Sequence, residues 1–276
     1  MRIENWEGAR ATRPTGKDMR VHYSFDDNIE GIVRPVVTIG SFDGVHIGHL
    51  EILKKVDELA QEVEGSRVVV TFSPHPREIL PGGGNIELLT TPPEKIALLE
   101  KAGVDNLIVA RFSPNFAART AEEFVRDFLV ERLHIHTLVV GYNHRIGSDG
   151  RQTPADHYER LGEIYGFNVV RCSALTLDGG KISSTVIRGL LAEGDLDGAE
   201  AMLGHPYFVT TPVERGCLAH LMTNKMMPPV GRYLVDVAGE QDILEIDEEC
   251  GIRLESGRTI REEVKITFRE KLPIEL

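Results

Sequence analysis

The sequence predicts an α/β protein, a parallel β-sheet covered by helices on both faces and followed by a small β-rich domain. Three observations carry this reading. Five short β-rich apolar runs alternate with segments whose apolar residues recur at helical spacing, each long enough to cross over a sheet. Such alternation marks βαβ units, whose crossovers place helices against both faces of a parallel sheet. Beyond residue 205 the helical spacing stops, and short strand-like runs separated by turn residues take over.

In chain order, residues 1–31 are polar and without sustained periodicity, and read as a loosely held extension in which 19–25 can add a short edge strand. Strands follow at 36–40, 67–72, 106–112, 137–141 and 168–172, with helices between them at 50–64, 91–102, 121–133 and 155–165. Two more helical segments occupy 184–192 and 195–203, and Gly204 to Pro206 punctuate their end. Strand-like runs at 208–213, 231–237 and 264–268 make up the rest. The expected division is therefore an extension (1–31), an α/β domain (32–205) and a small β domain (206–276). Ligands in open parallel sheets bind at the C-terminal ends of the strands, so the segments after each strand are where chemistry is expected.

Composition narrows the partners. The 276 residues carry 31 Lys and Arg against 43 Asp and Glu, a net charge of −12, which repels a polyphosphate backbone and leaves small phosphate ligands open. Hydrophobic residues at 41% and charged residues at 27% are globular values, sufficient for a core. Residues 1–20 lack an apolar signal region and no run approaches 18 apolar residues, so a soluble cytoplasmic protein with no membrane partner is expected. Cys172, Cys217 and Cys250 stand far apart without a CxxC pair, as reduced thiols do, and make neither a disulfide framework nor a zinc site.

The richest segment runs from Val36 to His49, VVTIGSFDGVHIGH. A buried strand enters a Gly-punctuated turn and then a helix whose first turn reads His-Ile-Gly-His. Helix N-termini present unpaired N–H groups and a positive dipole end, where a phosphate can sit. Gly48 lets a phosphate approach the backbone closely, and His46 and His49, three positions apart on one helical face, supply side-chain donors for charge building on a phosphoryl group. Two ordinary turn histidines would leave the same spacing. No carboxylate or third histidine stands at zinc-site spacing, so no protein metal site is expected. Ser183, Ser184 and Thr185 place adjacent hydroxyls at a later helix start with Arg188 one turn on, which suits a pyrophosphate and would equally serve as a helix cap. Pro74 and Pro76, with Phe72 and His75, can build a stiff wall for a flat ring system.

In these segments the chain resembles the nucleotidyltransferase superfamily and, within it, the bacterial FAD synthetases, which join an FMN adenylyltransferase domain to a riboflavin kinase domain. The resemblance rests on TIGSFDGVHIGH, on TFSPHPRE (71–78) after the second strand, on GYNHRIG (141–147) after the fourth, and on ISSTVIR (182–188). It implies a Rossmann-like catalytic domain and a barrel-like second domain, with ATP and FMN as substrates and Mg²⁺ as cofactor. By the same resemblance His46, His49, Asn143, Ser184, Thr185 and Arg188 are catalytic. Gly40, Ser41, Phe42, Gly48, Gly141 and Ser183 then surround the nucleotide, and Phe72, Pro74, His75 and Pro76 face the flavin.

The sequence also departs from the family. Asn143 stands where Asp is common, and His144 and Ile146 replace two aromatics. In the second domain the kinase segment GRxLGFPTAN has no PTAN counterpart in 213–221, although 227–235 resembles the next strand, so a shortened, kinase-inactive barrel remnant is expected. Three alternatives stand beside FAD formation. One is adenylyl transfer to another phosphorylated acceptor, and another is a non-catalytic flavin or nucleotide binder. The third is a class I aminoacyl-tRNA synthetase, which shares the literal HIGH but would need a KMSKS-like lysine pair that is missing here.

Overall fold

A computed structural model describes residues 19–273 except 26, 28, 81, 83, 85, 143, 150–155, 178–179, 220–223 and 248–250. Six strands, β1 (Arg20–His22), β2 (Val36–Ile39), β3 (Arg67–Ser73), β4 (Asn106–Arg111), β5 (Thr137–Val140) and β6 (Asn168–Arg171), form one parallel sheet in the order β1-β4-β3-β2-β5-β6. The segment 19–25 thus does add an edge strand, β1. From β2 the chain winds outward through β3 and β4, then crosses back to place β5 on the other side of β2. That reversal is the topological switch point, where an open sheet leaves a crevice at the strands' C-terminal ends.

The sheet is covered on both faces, and every residue of β2 and β5 is buried. Alternating side chains choose sides. Val37, Ile39, Val68 and Val70 pack with Phe124, Leu129, Tyr158 and Leu161. On the opposite face Val36 and Val139 meet Val56 and Ala60 of α1 (Ile47–Glu62), while Val69 and Leu107 meet Leu98 and Leu99 of α3 (Pro92–Lys101). Between α1 and α3 lies a single helical turn, α2 (Pro76–Ile79). Thr91 and Glu94 close a capping box on α3, fixing its start one residue inside the expected segment.

The expected helix 121–133 runs unbroken to Val130 but changes register after its first turn. After α4 (Pro114–Ala117) and α5 (Ala121–Phe124) the chain widens into a π-helical stretch, Val125–Val130, whose carbonyls accept from amides five residues on, Arg126 from Glu131 and Phe128 from Leu133. Apolar spacing does not distinguish that register from an α-helix. α6 (His157–Tyr165) leads to β6, and a small hairpin, β7 (Thr176–Leu177) and β8 (Gly180–Lys181), precedes α7 (Ser184–Glu193) and α8 (Leu196–Leu203).

The second domain is a closed antiparallel barrel of β9 (Phe208–Glu214), β10 (Cys217–Leu218), β11 (Gly231–Val237), β12 (Glu240–Asp247), β13 (Gly251–Leu254) and β14 (Ile260–Leu272), ordered β10-β13-β12-β11-β14-β9. Three of these strands were legible. β12 escapes sequence reading because acidic residues crowd it, yet Asp242, Leu244 and Ile246 alternate inward. β10 has only two residues, and the six strands close into a barrel. One hydrophobic cluster runs from Ile187, Leu191, Ala199 and Leu203 on α7 and α8 into Val209, Tyr233, Val235 and Phe268 of the barrel. Each such fully buried aliphatic contributes about 1.5–3 kcal/mol, enough to seat the barrel on the helices.

Candidate active site

A cleft of about 1120 Å³ opens at the switch point, lined by residues from the ends of β2, β3, β4 and β5 and from the start of α7. Gly40 and Ser41 leave β2 along its floor. The chain then makes a left-handed turn, with φ of +48° at Phe42, +83° at Gly44 and +41° at Val45. Such angles are costly for Phe and Val, and persist because both side chains are locked in the core with Leu53, Val69 and Leu99. At Gly44 a Cβ would lie 2.9 Å from Leu89 Cδ1, so glycine is required for space as well as for φ.

The turn buries Asp43 completely. Its Oδ1 accepts from the Thr90 amide (3.1 Å) and the Thr90 hydroxyl (3.3 Å), and its Oδ2 from the Leu89 amide (3.2 Å) and from Arg188 Nη2. Four donors satisfy this buried carboxylate, which anchors the guanidinium beside it. Arg188 also donates from Nε to the Glu87 carbonyl (2.6 Å), and still lines the cleft.

His46 caps α1: its Nδ1 accepts from the His49 amide at 3.3 Å, which puts the ring proton on Nε2. The His46 and His49 rings stack with centroids 3.6 Å apart and 14° between planes. Burial lowers the His46 pKa to about 4, opposed in part by Asp43. Burial lowers His49 well below the ordinary value too, and His46 and Lys95 push in the same direction. Both rings are therefore neutral at pH 7, which a stacked pair requires, and His49 Nδ1 is buried without a protein partner. A Cβ on Gly48 would lie 3.2 Å from the His46 ring, so this glycine keeps the helix start open.

At the other helix start, Ser183 is the N-cap of α7, its hydroxyl accepting from the Val186 amide (3.3 Å). The Ser184 hydroxyl donates to the Asp43 carbonyl (3.0 Å), and Thr185 Oγ1 accepts from Arg77 Nη2 (3.4 Å). Capping does not close this helix start: the first-turn amides keep no helical acceptor, and Ser183, Ser184, Thr185 and Arg188 all line the cleft.

The aromatic side of the cleft differs in part from the expected set. Phe72, His75 and Pro76 line the cleft, whereas Pro74 is exposed and lies outside the lining. The remainder comes from Phe112 and Phe116, whose rings stand 5.4 Å and 5.8 Å from Phe72. His75 caps α2 through Nδ1 (3.2 Å from the Arg77 amide), and burial lowers its pKa to about 4. Gly141 and His144 line the cleft; the His144 pKa is lowered to about 4, chiefly by burial. Asn143 lies outside the described residues. Among them, no three His, Cys, Asp or Glu side chains converge as a metal site.

Sequence reasoning missed Asp43, Arg77, Phe112 and Phe116. Arg77 and Asp43 sat inside quoted motifs, and Phe112 follows β4 at its C-terminal end, a position that could have singled it out.

Comparison with known proteins agrees with this geometry. Residues 31–186 match the family model for FAD synthetase. The chain is 35% identical over 214 residues to the bifunctional riboflavin kinase/FMN adenylyltransferase of Escherichia coli (strain K12), covering 74% of this chain and 68% of that protein. It is 37% identical over 202 residues to the FAD synthetase of Listeria monocytogenes, covering 73% and 80%. A crystal structure described as a macrolide-efflux protein from Streptococcus pneumoniae superposes with a TM-score of 0.79 at 24% identity over 92% of this chain and 90% of that one, a likeness of fold that takes in the barrel. The family match spans the cleft from β2 to the start of α7, and on that ground the chain belongs to the FAD synthetase family.

Proposed function

We propose that the protein transfers the adenylyl group of ATP to FMN, giving FAD and pyrophosphate. The observation that carries this is the meeting of two helix N-termini in one cleft, α1 with His46 and His49 and α7 with Ser184, Thr185 and Arg188, opposite the aromatic wall of Phe72, Phe112 and Phe116. An FMN phosphate oxygen attacks the α-phosphorus in line, the bond to the bridging oxygen breaks, and pyrophosphate leaves. No covalent enzyme intermediate is needed. The protein aligns two anions and offsets charge on the group in flight.

In this reading His46 Nε2–H and His49 face the α-phosphate, while the α7 amides, the Thr185 hydroxyl, Arg77 and Arg188 receive the pyrophosphate. By the family resemblance Asn143 would contact nucleotide or metal, and the Phe72 wall holds the flavin ring. Mg²⁺ belongs to the family chemistry, where it offsets phosphate charge, but the described residues form no cage for it and Asp43 already serves Leu89, Thr90 and Arg188. It would enter with the triphosphate, as Mg²⁺ commonly does. The proposal includes loss of riboflavin kinase activity, supported by the missing PTAN segment and the two-residue β10. It also includes a cytoplasmic location, which the resemblance to the bacterial FAD synthetases implies.

The test is pyrophosphate release with ATP, Mg²⁺ and a panel of phosphorylated acceptors, with riboflavin plus ATP in parallel. FMN should be the preferred acceptor, riboflavin should give no FMN, and His49→Ala should lower turnover by about 10²–10³-fold. Flavin binding without pyrophosphate release, or an unaffected His49→Ala enzyme, would refute the assignment.

A further inference from the structure

A buried ion pair joins the barrel domain to the segment behind the cleft. Lys225, in the connection between β10 and β11, donates to Glu94 Oε2 and to the Leu89 carbonyl, both at 2.7 Å, and the Lys225 and Glu94 side chains are each 1% exposed. Its ammonium also lies 4.7 Å from the centre of the Tyr207 ring. Glu94, in the first turn of α3, accepts from the Thr91 amide (2.8 Å) and from the Thr210 amide of β9 (2.7 Å). The chain around Lys225 pairs with the segment before α3, the Leu88 amide donating to the Asn224 carbonyl (2.6 Å) and the Met226 amide to the Leu88 carbonyl (2.9 Å).

That same segment holds the cleft. The Glu87 carbonyl accepts from Arg188, and the Leu89 and Thr90 amides hold Asp43. One short stretch of backbone thus meets the barrel on one edge and Asp43 and Arg188 on the other. A buried ion pair is a poor way to gain stability, since apolar residues of similar volume often do as well. Its directional bonds do what apolar packing does not, which is to fix the position of the Leu89 carbonyl and the first turn of α3.

We propose that Lys225 is a positioning residue for adenylyl transfer: from the barrel side it fixes residues 87–94 and so sets Asp43 and the Arg188 guanidinium at the leaving-group end of the cleft. The barrel then serves the transfer without touching the nucleotide, a role that rests on the adenylyltransferase reading above.

The test compares Lys225→Met and the double variant Glu94→Met/Lys225→Met, which removes both buried charges, with the wild type. Pyrophosphate release is measured alongside pyrophosphate binding by calorimetry, which needs no acceptor, and thermal melting. Expected are a kcat lower by about tenfold or more and pyrophosphate binding weakened by a similar factor, with the KM for FMN within about twofold of wild type. The double variant should regain melting temperature without regaining pyrophosphate affinity. Wild-type kcat and affinity in a folded variant would overturn the proposal, as would a loss shared equally with FMN or failure of both variants to fold, which would assign the pair to stability alone. A wild type that binds pyrophosphate but makes no FAD would refute the acceptor assignment and leave the calorimetric comparison to decide on Lys225. A wild type that does not bind pyrophosphate would overturn both.

Discussion

Replacing Asp43 with asparagine keeps the side chain's shape and changes one oxygen into an NH₂ group. Each carboxylate oxygen now accepts two bonds, Oδ1 from Thr90 and Oδ2 from Leu89 and Arg188. Whichever way the amide turns, its NH₂ faces two donors, and Arg188 loses its countercharge. An orphaned buried donor costs about 1–3 kcal/mol, and breaking a buried ion pair about 3–5 kcal/mol. Because these penalties describe overlapping interactions, a total of about 3–5 kcal/mol is the working figure. At about 2–4 °C per kcal/mol for a chain of this size, the melting temperature should drop by roughly 10 °C.

The catalytic effect should be selective. With Arg188 held only through the Glu87 carbonyl, pyrophosphate release at saturating FMN should fall about hundredfold, as misplacement of a charged group by about 1 Å does elsewhere. The KM for ATP should rise and the KM for FMN should not, since Phe72, Phe112 and Phe116 have no bond to Asp43. Differential scanning fluorimetry and initial rates with each substrate varied in turn measure both effects. An Asp43→Asn protein melting within about 2 °C of wild type with an unchanged kcat would refute the reasoning.

Three further outcomes follow from the site. His46, His75 and His144 have pKa values lowered to about 4, so the unfolded chain takes up protons near 6.5 that the folded chain refuses until about 4. Their contribution is therefore fully present above pH 6.5 and lost as pH falls toward 4, about 3 kcal/mol for His46 alone; urea midpoints at pH 7.5 and pH 5 measure it, and equal midpoints would count against it. Gly48→Ala places a methyl 3.2 Å from the His46 ring, and should raise the KM for ATP about tenfold with little change in melting temperature. Phe116→Ala should raise the KM for FMN and leave pyrophosphate binding unchanged, a separation read by flavin fluorescence titration against calorimetry.

What the sequence by itself determined is local. A helix start is specified by a few consecutive residues, so His46-Ile47-Gly48-His49 and Ser183-Ser184-Thr185 announce two helix N-termini before any tertiary contact is known. Alternation of strand and helix likewise announces the parallel sheet and the end at which ligands collect. Tertiary structure alone decided which distant groups complete those termini. Asp43 meets Leu89 across 46 positions, Arg188 across 145, and Lys225 meets Glu94 across 131. No local pattern encodes such pairs, because a buried charge is acceptable only where the fold brings it a partner. The same holds for the aromatic wall: only when β3 and β4 lie side by side do the Phe112 and Phe116 rings close the cleft beside Phe72.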